Sequence, residues 1–143
     1  MTAAYILRRE VFYFPRPQDN ANCSGSAGCF TGVVARVIDG DTLEVNSIRI
    51  RLVLVDAPER DTAEGPAATN YLRQLCPVGS PALVDQDDRQ PEDDYGRMLA
   101  VVWCGGQRVN EEIIRAGRAE LYHRFCRQSE FGLQPWAVAL GCR

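Results

Sequence analysis

The stretch Thr31–Glu59, TGVVARVIDGDTLEVNSIRIRLVLVDAPE, constrains the fold more than any other part of the chain. Its β-branched runs are separated by Asp39-Gly40-Asp41, and Asp-Gly is turn chemistry. The pattern predicts strands at about 31–38, 42–46 and 48–55. Three acidic residues fall at boundaries of this pattern. Asp41 lies in the turn, Asp56 ends the run Arg51-Leu52-Val53-Leu54-Val55, and Glu59 follows Pro58. Hairpin geometry can bring the turn carboxylate beside the strand-end carboxylate. Carboxylates gathered in this way repel one another, so a hard divalent ion with oxygen ligands is the natural group to sit between them. Arg51 stands at the other end of the strand that Asp56 closes.

The remainder of the chain alternates helices and strands. Gly65-Pro66 opens a helix, because proline suits the first helical position. Ala68, Tyr71, Leu72 and Leu75 give that helix one apolar face, and Pro77 stops it. Leu83–Asp85 reads as a short strand and Met98–Cys104 as a stronger one. Val109–Ala116 reads as a helix with Val109, Ile113 and Ala116 on one face, closed by Gly117. Pro135–Leu140 reads as a short terminal helix. Ahead of the main pattern, Tyr5–Phe14 reads as an added strand and residues 15–29 as a loop, to which no chemistry is assigned. The order of elements predicts an α+β domain at residues 31–143, with residues 1–30 as an extension.

The segments VIDGDTLEV, IRLVLVDAPE, DDYGRMLAVVW and VNEEIIRAGRAEL agree in order and spacing with one known family. From about Thr31 to Leu121 the chain resembles the staphylococcal nuclease (thermonuclease) family. The resemblance implies a five-stranded OB-type Greek-key β-barrel with three helices. It also implies Ca²⁺-dependent hydrolysis of DNA and RNA to 3′-phosphate ends. Under it, Asp41, Asp56 and the carbonyl of Ala57 would hold Ca²⁺, Glu59 would act on the attacking water, and Arg51 and Arg97 would hold the phosphate. Tyr95, in Asp93-Asp94-Tyr95-Gly96-Arg97, would lie against the substrate. Two departures stand out. The segment after Glu59 is only Arg60-Asp61-Thr62-Ala63-Glu64, where the family carries a long lysine-rich loop. The family's two tyrosines after the second helix are matched by His123 and Phe125, with Tyr122 adjacent; rings at these positions can stack on a base.

Phosphodiester hydrolysis needs an aimed and deprotonated water, neutralised charge on the phosphoryl oxygens and a stabilised leaving oxygen. A metal with two guanidinium groups meets the second need. Taken singly, Asp41 could be a turn residue, Asp56 a strand end, and Glu59 and Arg97 surface charges. His123 could be an exposed loop histidine. Together, in this order, they favour the enzyme over two other readings. One is a catalytically inactive nucleic-acid or protein binding module, which would be expected to lose the acidic and arginine positions. The other is a disulfide-stapled structural module.

Composition adds the setting. The net charge of −3 does not favour a nucleic-acid partner, but a local basic patch can coexist with an acidic total. Aspartates around residues 85–94 supply much of the excess and read as a solvated loop. All 16 basic residues are arginine. Six cysteines, Cys23, Cys29, Cys76, Cys104, Cys126 and Cys142, contain no Cys-x-x-Cys pair, and His123 is the sole histidine, which argues against structural zinc. Three disulfides fit better, and 23–29, 76–104 and 126–142 are the expected pairs, with six buried free thiols as the alternative. A secreted or periplasmic setting follows, leaving an intracellular one open. No segment reaches the ~20 apolar residues of a membrane span. Ala3–Leu7 followed by Arg8-Arg9-Glu10 does not read as a signal peptide, so an exported protein would have carried its signal elsewhere. The expected partners are single-stranded DNA and RNA, with no membrane, and the expected state is a monomer.

Overall fold

The computed structural model describes residues 22–143. The strand expected at Tyr5–Phe14 lies outside the described residues. Among the described residues, five strands close a barrel: β1 (Cys29–Asp39), β2 (Thr42–Val45), β3 (Ile48–Leu52), β5 (Pro81–Gln86) and β6 (Met98–Cys104). The hydrogen-bonded order is β3-β2-β1-β5-β6. The parallel pairing of β3 with β6, Ile50 opposite Met98 and Leu52 opposite Ala100, closes the ring. The barrel and its three helices make the OB-type α+β fold expected from the sequence.

Period-two alternation drives the barrel. Val34, Leu43, Val45, Ile50, Leu52, Val84 and Val102 point inward and are fully buried. Helix α1 (Gly65–Leu75) covers one end with Ala68 and Leu72 buried, and Tyr71 and Leu75 pack against the same core. Burying a leucine of this kind is worth about 1.5–3 kcal/mol. Helix α2 (Val109–Arg115) adds Val109 and Ile113, whereas Ala116 is exposed at its end and not part of the expected apolar face. Gly117, at φ +74°, closes α2, with its N–H and that of Arg118 donating to the carbonyls of Ile114 and Ile113.

The run expected as one strand at 48–55 is broken. β3 stops at Leu52, and Leu54 adopts φ +66°, a left-handed conformation uncommon for a non-glycine residue. The chain then resumes as β4 (Val55–Asp56), which pairs with β8 (Glu120–Leu121). The break is fixed from below by Asn110, which is fully buried. Its amide donates to the carbonyls of Val53 (2.9 Å) and Ala100 (3.1 Å) and accepts from the Val102 amide (3.0 Å). Its place inside an apolar helix pattern gave no hint of this in sequence.

A second apolar cluster forms outside the barrel. After β7 (Gln107–Arg108), α2 and β8, the chain makes two 3₁₀ turns, His123–Phe125 and Glu130–Leu133, and then α3 (Pro135–Leu140). Phe131, Trp136 and Ala137 bury against Val101 and Leu99 of β6. The cysteines are bridged 23–29, 76–104 and 126–142, with Cα–Cα distances of 6.3, 5.5 and 5.4 Å.

The aspartates of residues 85–94 are only in part a solvated loop: Asp88 and Asp94 are exposed. Asp85 and Asp87 are buried, at 1% and 0% exposed. Asp87 accepts from the amides of Arg89, Gln90 and Glu130 and from the Ser129 hydroxyl, which ties the loop after β5 to the second 3₁₀ turn. Asp85, Asp88 and Glu130 hold the Cys23–Cys29 loop through Ser24, Ser26 and Ala27. A carboxylate with this many backbone donors at hand satisfies them by folding inward, which composition cannot show.

Candidate active site

The β1–β2 turn presents Asp41 because Gly40 lets it approach the helix end closely. A side chain on Gly40 would meet Ala68 Cβ at 2.7 Å and Ala57 Cβ at 2.8 Å. Asp41 is buried, and both of its carboxylate oxygens accept hydrogen bonds. One oxygen accepts from Arg51 Nη2 (3.2 Å) and the Ala57 amide (3.1 Å), and the other from Thr42 Oγ1 (3.0 Å). Burial pushes the Asp41 carboxyl up to about 6, Arg51 pulling the other way and Asp39 adding to the rise. A desolvated carboxylate of this kind gains from a nearby cation.

Arg51 and Arg97 come together on one cleft of about 380 Å³. Its walls include Val53, Leu54, Leu99, Tyr95, Tyr122 and Phe125. Leu54, at the left-handed turn, contributes to the apolar side of the cleft together with Val53, Leu99 and Phe125. Arg51 also lies over the Tyr122 ring at 5.6 Å, and Tyr122 meets Phe125 edge-on at 4.7 Å. Arg97 is aimed by Asp93, which accepts from its Nε at 2.6 Å and from the amides of Arg97 and Tyr95. Burial raises the Asp93 carboxyl, but these donors outweigh it and hold the group below its usual value. Arg97 Nη1 also reaches Thr42 Oγ1 at 3.4 Å. Tyr95 is 85% exposed, with Arg97 over its ring at 5.5 Å.

The expected residues do not all share one opening. Asp56 and Ala57 line a second groove, of about 580 Å³, together with Glu64, Ala67, Arg118 and Glu120. Asp41 joins the two places, since one of its oxygens accepts from both Arg51, which lines the cleft, and the amide of Ala57, which lines the groove. Glu59 is exposed and lines neither opening. Its carbonyl accepts from the amide and hydroxyl of Thr62 and packs directly on Gly65, where a side chain would collide with it. The short segment after Glu59 is thus a tight turn against the start of α1. His123 does not line the cleft; its ring faces the Gly141 end of α3. Arg124, which received no role from the sequence, does line it, from the 3₁₀ turn at the cleft's rim. Asp93 and Thr42 were also missed: both sit inside quoted motifs, but orienting an arginine leaves no separate signature.

Among the described residues no three acidic, histidine or cysteine side chains form a group that could hold a metal ion. Of the oxygen donors the resemblance names, Asp41 is buried against Arg51 and the Ala57 amide, while Asp56 and Ala57 line the second groove. Hard oxygens beside a buried carboxylate fit a hard cation in chemistry.

The staphylococcal nuclease homologue family matches over residues 49–134, which takes in Arg51, Asp56, Glu59 and Arg97. The chain is 40% identical over 99 residues to an uncharacterized endonuclease of Escherichia coli O157:H7, covering 66% of this chain and 62% of that protein. It is 36% identical over 102 residues to a thermonuclease of Staphylococcus intermedius, covering 63% and 60%. Endonuclease YhcR of Bacillus subtilis (strain 168) is 32% identical over 130 residues, covering 79% of this chain and 11% of that much longer protein. The chain spans about six-tenths of the length of the first two. With the barrel, the paired arginines and this match over more than half its length, the chain belongs to the staphylococcal nuclease homologue family.

Proposed function

We propose that this domain is a Ca²⁺-dependent phosphodiesterase that hydrolyses single-stranded DNA and RNA to products with 3′-phosphate ends. The observation that carries the reading is the meeting of Arg51 and Arg97 on one aromatic-walled cleft, with the Asp41 carboxylate behind Arg51. Asp41, Asp56 and the Ala57 carbonyl would hold the metal. Ca²⁺, when bound, supplies positive charge against the phosphoryl oxygens. Arg51 and Arg97 bind two of those oxygens and strengthen their hold as charge builds there. Glu59 takes the proton from the attacking water. The tight turn that packs its carbonyl on Gly65 limits where its side chain can reach. Tyr95, Tyr122 and Phe125 support the bases on either side, while His123 borders the site without facing the cleft. Three disulfides support a secreted or periplasmic setting, and we take the protein to act as a monomer.

The exposed place of Glu59, outside both openings, is the one feature that favours the alternative of a binding module without catalysis. One experiment separates the two. Purified protein is incubated with single-stranded DNA in Ca²⁺, in Mg²⁺ and in chelator, and the fragment ends are tested for phosphatase-sensitive 3′-phosphate. Cleavage is expected in Ca²⁺, weak or absent in Mg²⁺, which demands a tighter octahedron, and absent in chelator. Glu59→Gln is expected to bind substrate as the parent does and to lose at least ~10²-fold in turnover. Full activity in chelator rules out the metal, and parent-like turnover in Glu59→Gln rules out its role. Binding without any cleavage favours the alternative.

A further inference from the structure

The cleft has a neighbour. An open groove of about 530 Å³ is lined by Arg49, Tyr95, Gly96 and Arg97, so Tyr95 and Arg97 are shared between the two. Arg49 and Arg51 project from the same face of β3 on either side of buried Ile50. Two residues along a strand span about 7 Å, comparable to the separation of successive phosphates along a single nucleic-acid strand. Sideways, the register makes a row. Arg36 stands opposite Glu44 and Glu44 opposite Arg49. Arg49 precedes Ile50 as Arg97 precedes Met98, the parallel partner of Ile50. Adjacent strands lie about 4.8 Å apart, so the row runs unbroken from the outer face of the barrel to the cleft.

The charges along this row do not cancel. Glu44 is shared by Arg36 (3.3 Å) and Arg49 (3.2 Å), and Asp93 faces Arg97. Three guanidiniums meet two carboxylates, which leaves one positive charge over in a protein whose formal net charge is −3. Arg36 and Arg49 are 59% and 51% exposed, so their pairs with Glu44 are weak enough to be exchanged for a phosphate.

We infer that Arg49, with Arg36 behind it, is an accessory phosphate-binding site for the strand leaving the cleft, entered across the exposed ring of Tyr95. The inference rests on the nuclease reading above. A strand with its scissile phosphate at Arg51 and Arg97 passes over Tyr95, on which a base can stack. It places its next phosphate at Arg49, and Glu44 is displaced as it arrives.

The test is binding of a labelled dinucleotide and a labelled octanucleotide of single-stranded DNA, in Ca²⁺, to Glu59→Gln protein with and without further changes. Adding Arg49→Ala is expected to weaken octanucleotide binding by about fivefold at ~0.1 M salt and to lower the slope of log affinity against log salt by ~0.7, the value for one lost phosphate contact on a single strand. The dinucleotide, too short to reach the groove, should bind as before. Adding Glu44→Gln instead should tighten the octanucleotide, because both arginines lose their competitor. An equal loss at both lengths, no loss at the longer, or weakening by Glu44→Gln overturns the inference and leaves the nuclease reading standing. Absence of binding at either length by Glu59→Gln alone, together with an inactive parent, overturns both.

Discussion

Arg51 and Arg97 reach the same cleft by different supports. Arg51 is held by the Asp41 carboxylate and the Tyr122 ring, Arg97 by the Asp93 carboxylate. Each guanidinium is therefore pre-oriented, and orientation settled before substrate arrives is worth most when charge on the phosphoryl group peaks. Arg51→Ala and Arg97→Ala are each expected to lower kcat by about 10²–10³-fold, the loss seen when one preorganised donor is removed. Substrate affinity should change less. Steady-state rates on single-stranded DNA check this, and a variant with only a raised KM would make its arginine a docking residue. The two arginines were legible because they stand in motifs. Asp93, which aims Arg97, was not, since a carboxylate that orients a neighbour resembles any loop aspartate.

The Cys23–Cys29 loop is the element whose attachment was least legible. It is secured by carboxylates that arrive from β5, from the loop after it and from the second 3₁₀ turn, and contacts of that range leave no local pattern. Burial pushes Asp85 up to about 6 and Glu130 up to about 7, despite the bonds each accepts from Ser24. Backbone bonds from Ser26 and Ala27 hold Asp88 below its usual value, as bonds from its own turn do for Asp93. A carboxyl raised in the folded state contributes stability at low pH that is lost as pH rises through its folded value; a lowered one does the reverse. The melting temperature, measured in chelator, is therefore expected to fall between about pH 4 and pH 7 as Asp85, Asp41 and Glu130 ionise in the folded protein. It should fall again in stronger acid, as Asp88 and Asp93 protonate. Glu130→Gln should flatten the upper slope. A profile that rises steadily to pH 8 would contradict the assignment. The barrel strands and the three helices, by contrast, followed from residue pattern, apart from the break at Leu54, beneath which Asn110 binds the Val53 carbonyl; the two-residue strands β7 and β8 and the 3₁₀ turns are too short to carry a pattern.

At the level of the whole molecule, the bridges join parts that the barrel's hydrogen bonds do not. Cys76–Cys104 ties the end of α1 to the end of β6, and Cys126–Cys142 ties the first 3₁₀ turn to the residue next to the C-terminal one. Reduction is expected to lower the melting temperature clearly, since losing a native bridge in a small secreted domain costs about 2–5 kcal/mol. Calorimetry with and without reductant checks this, and unchanged melting would show that the bridges add nothing to the fold. The strands and the site motifs could be read because they are local, and the barrel because they resemble a known family; the packing of the C-terminal segment could not, because its partners lie on β6 far away in sequence. One further property follows from where Cys76–Cys104 sits. The exposed turn that carries Tyr95 and leads into Arg97 lies inside the span that this bridge closes, and such turns are preferred targets for proteases. A nick there leaves two pieces still covalently joined, each half of the barrel held to the other. Damage at this exposed turn would thus sever the chain without releasing either half of the cleft.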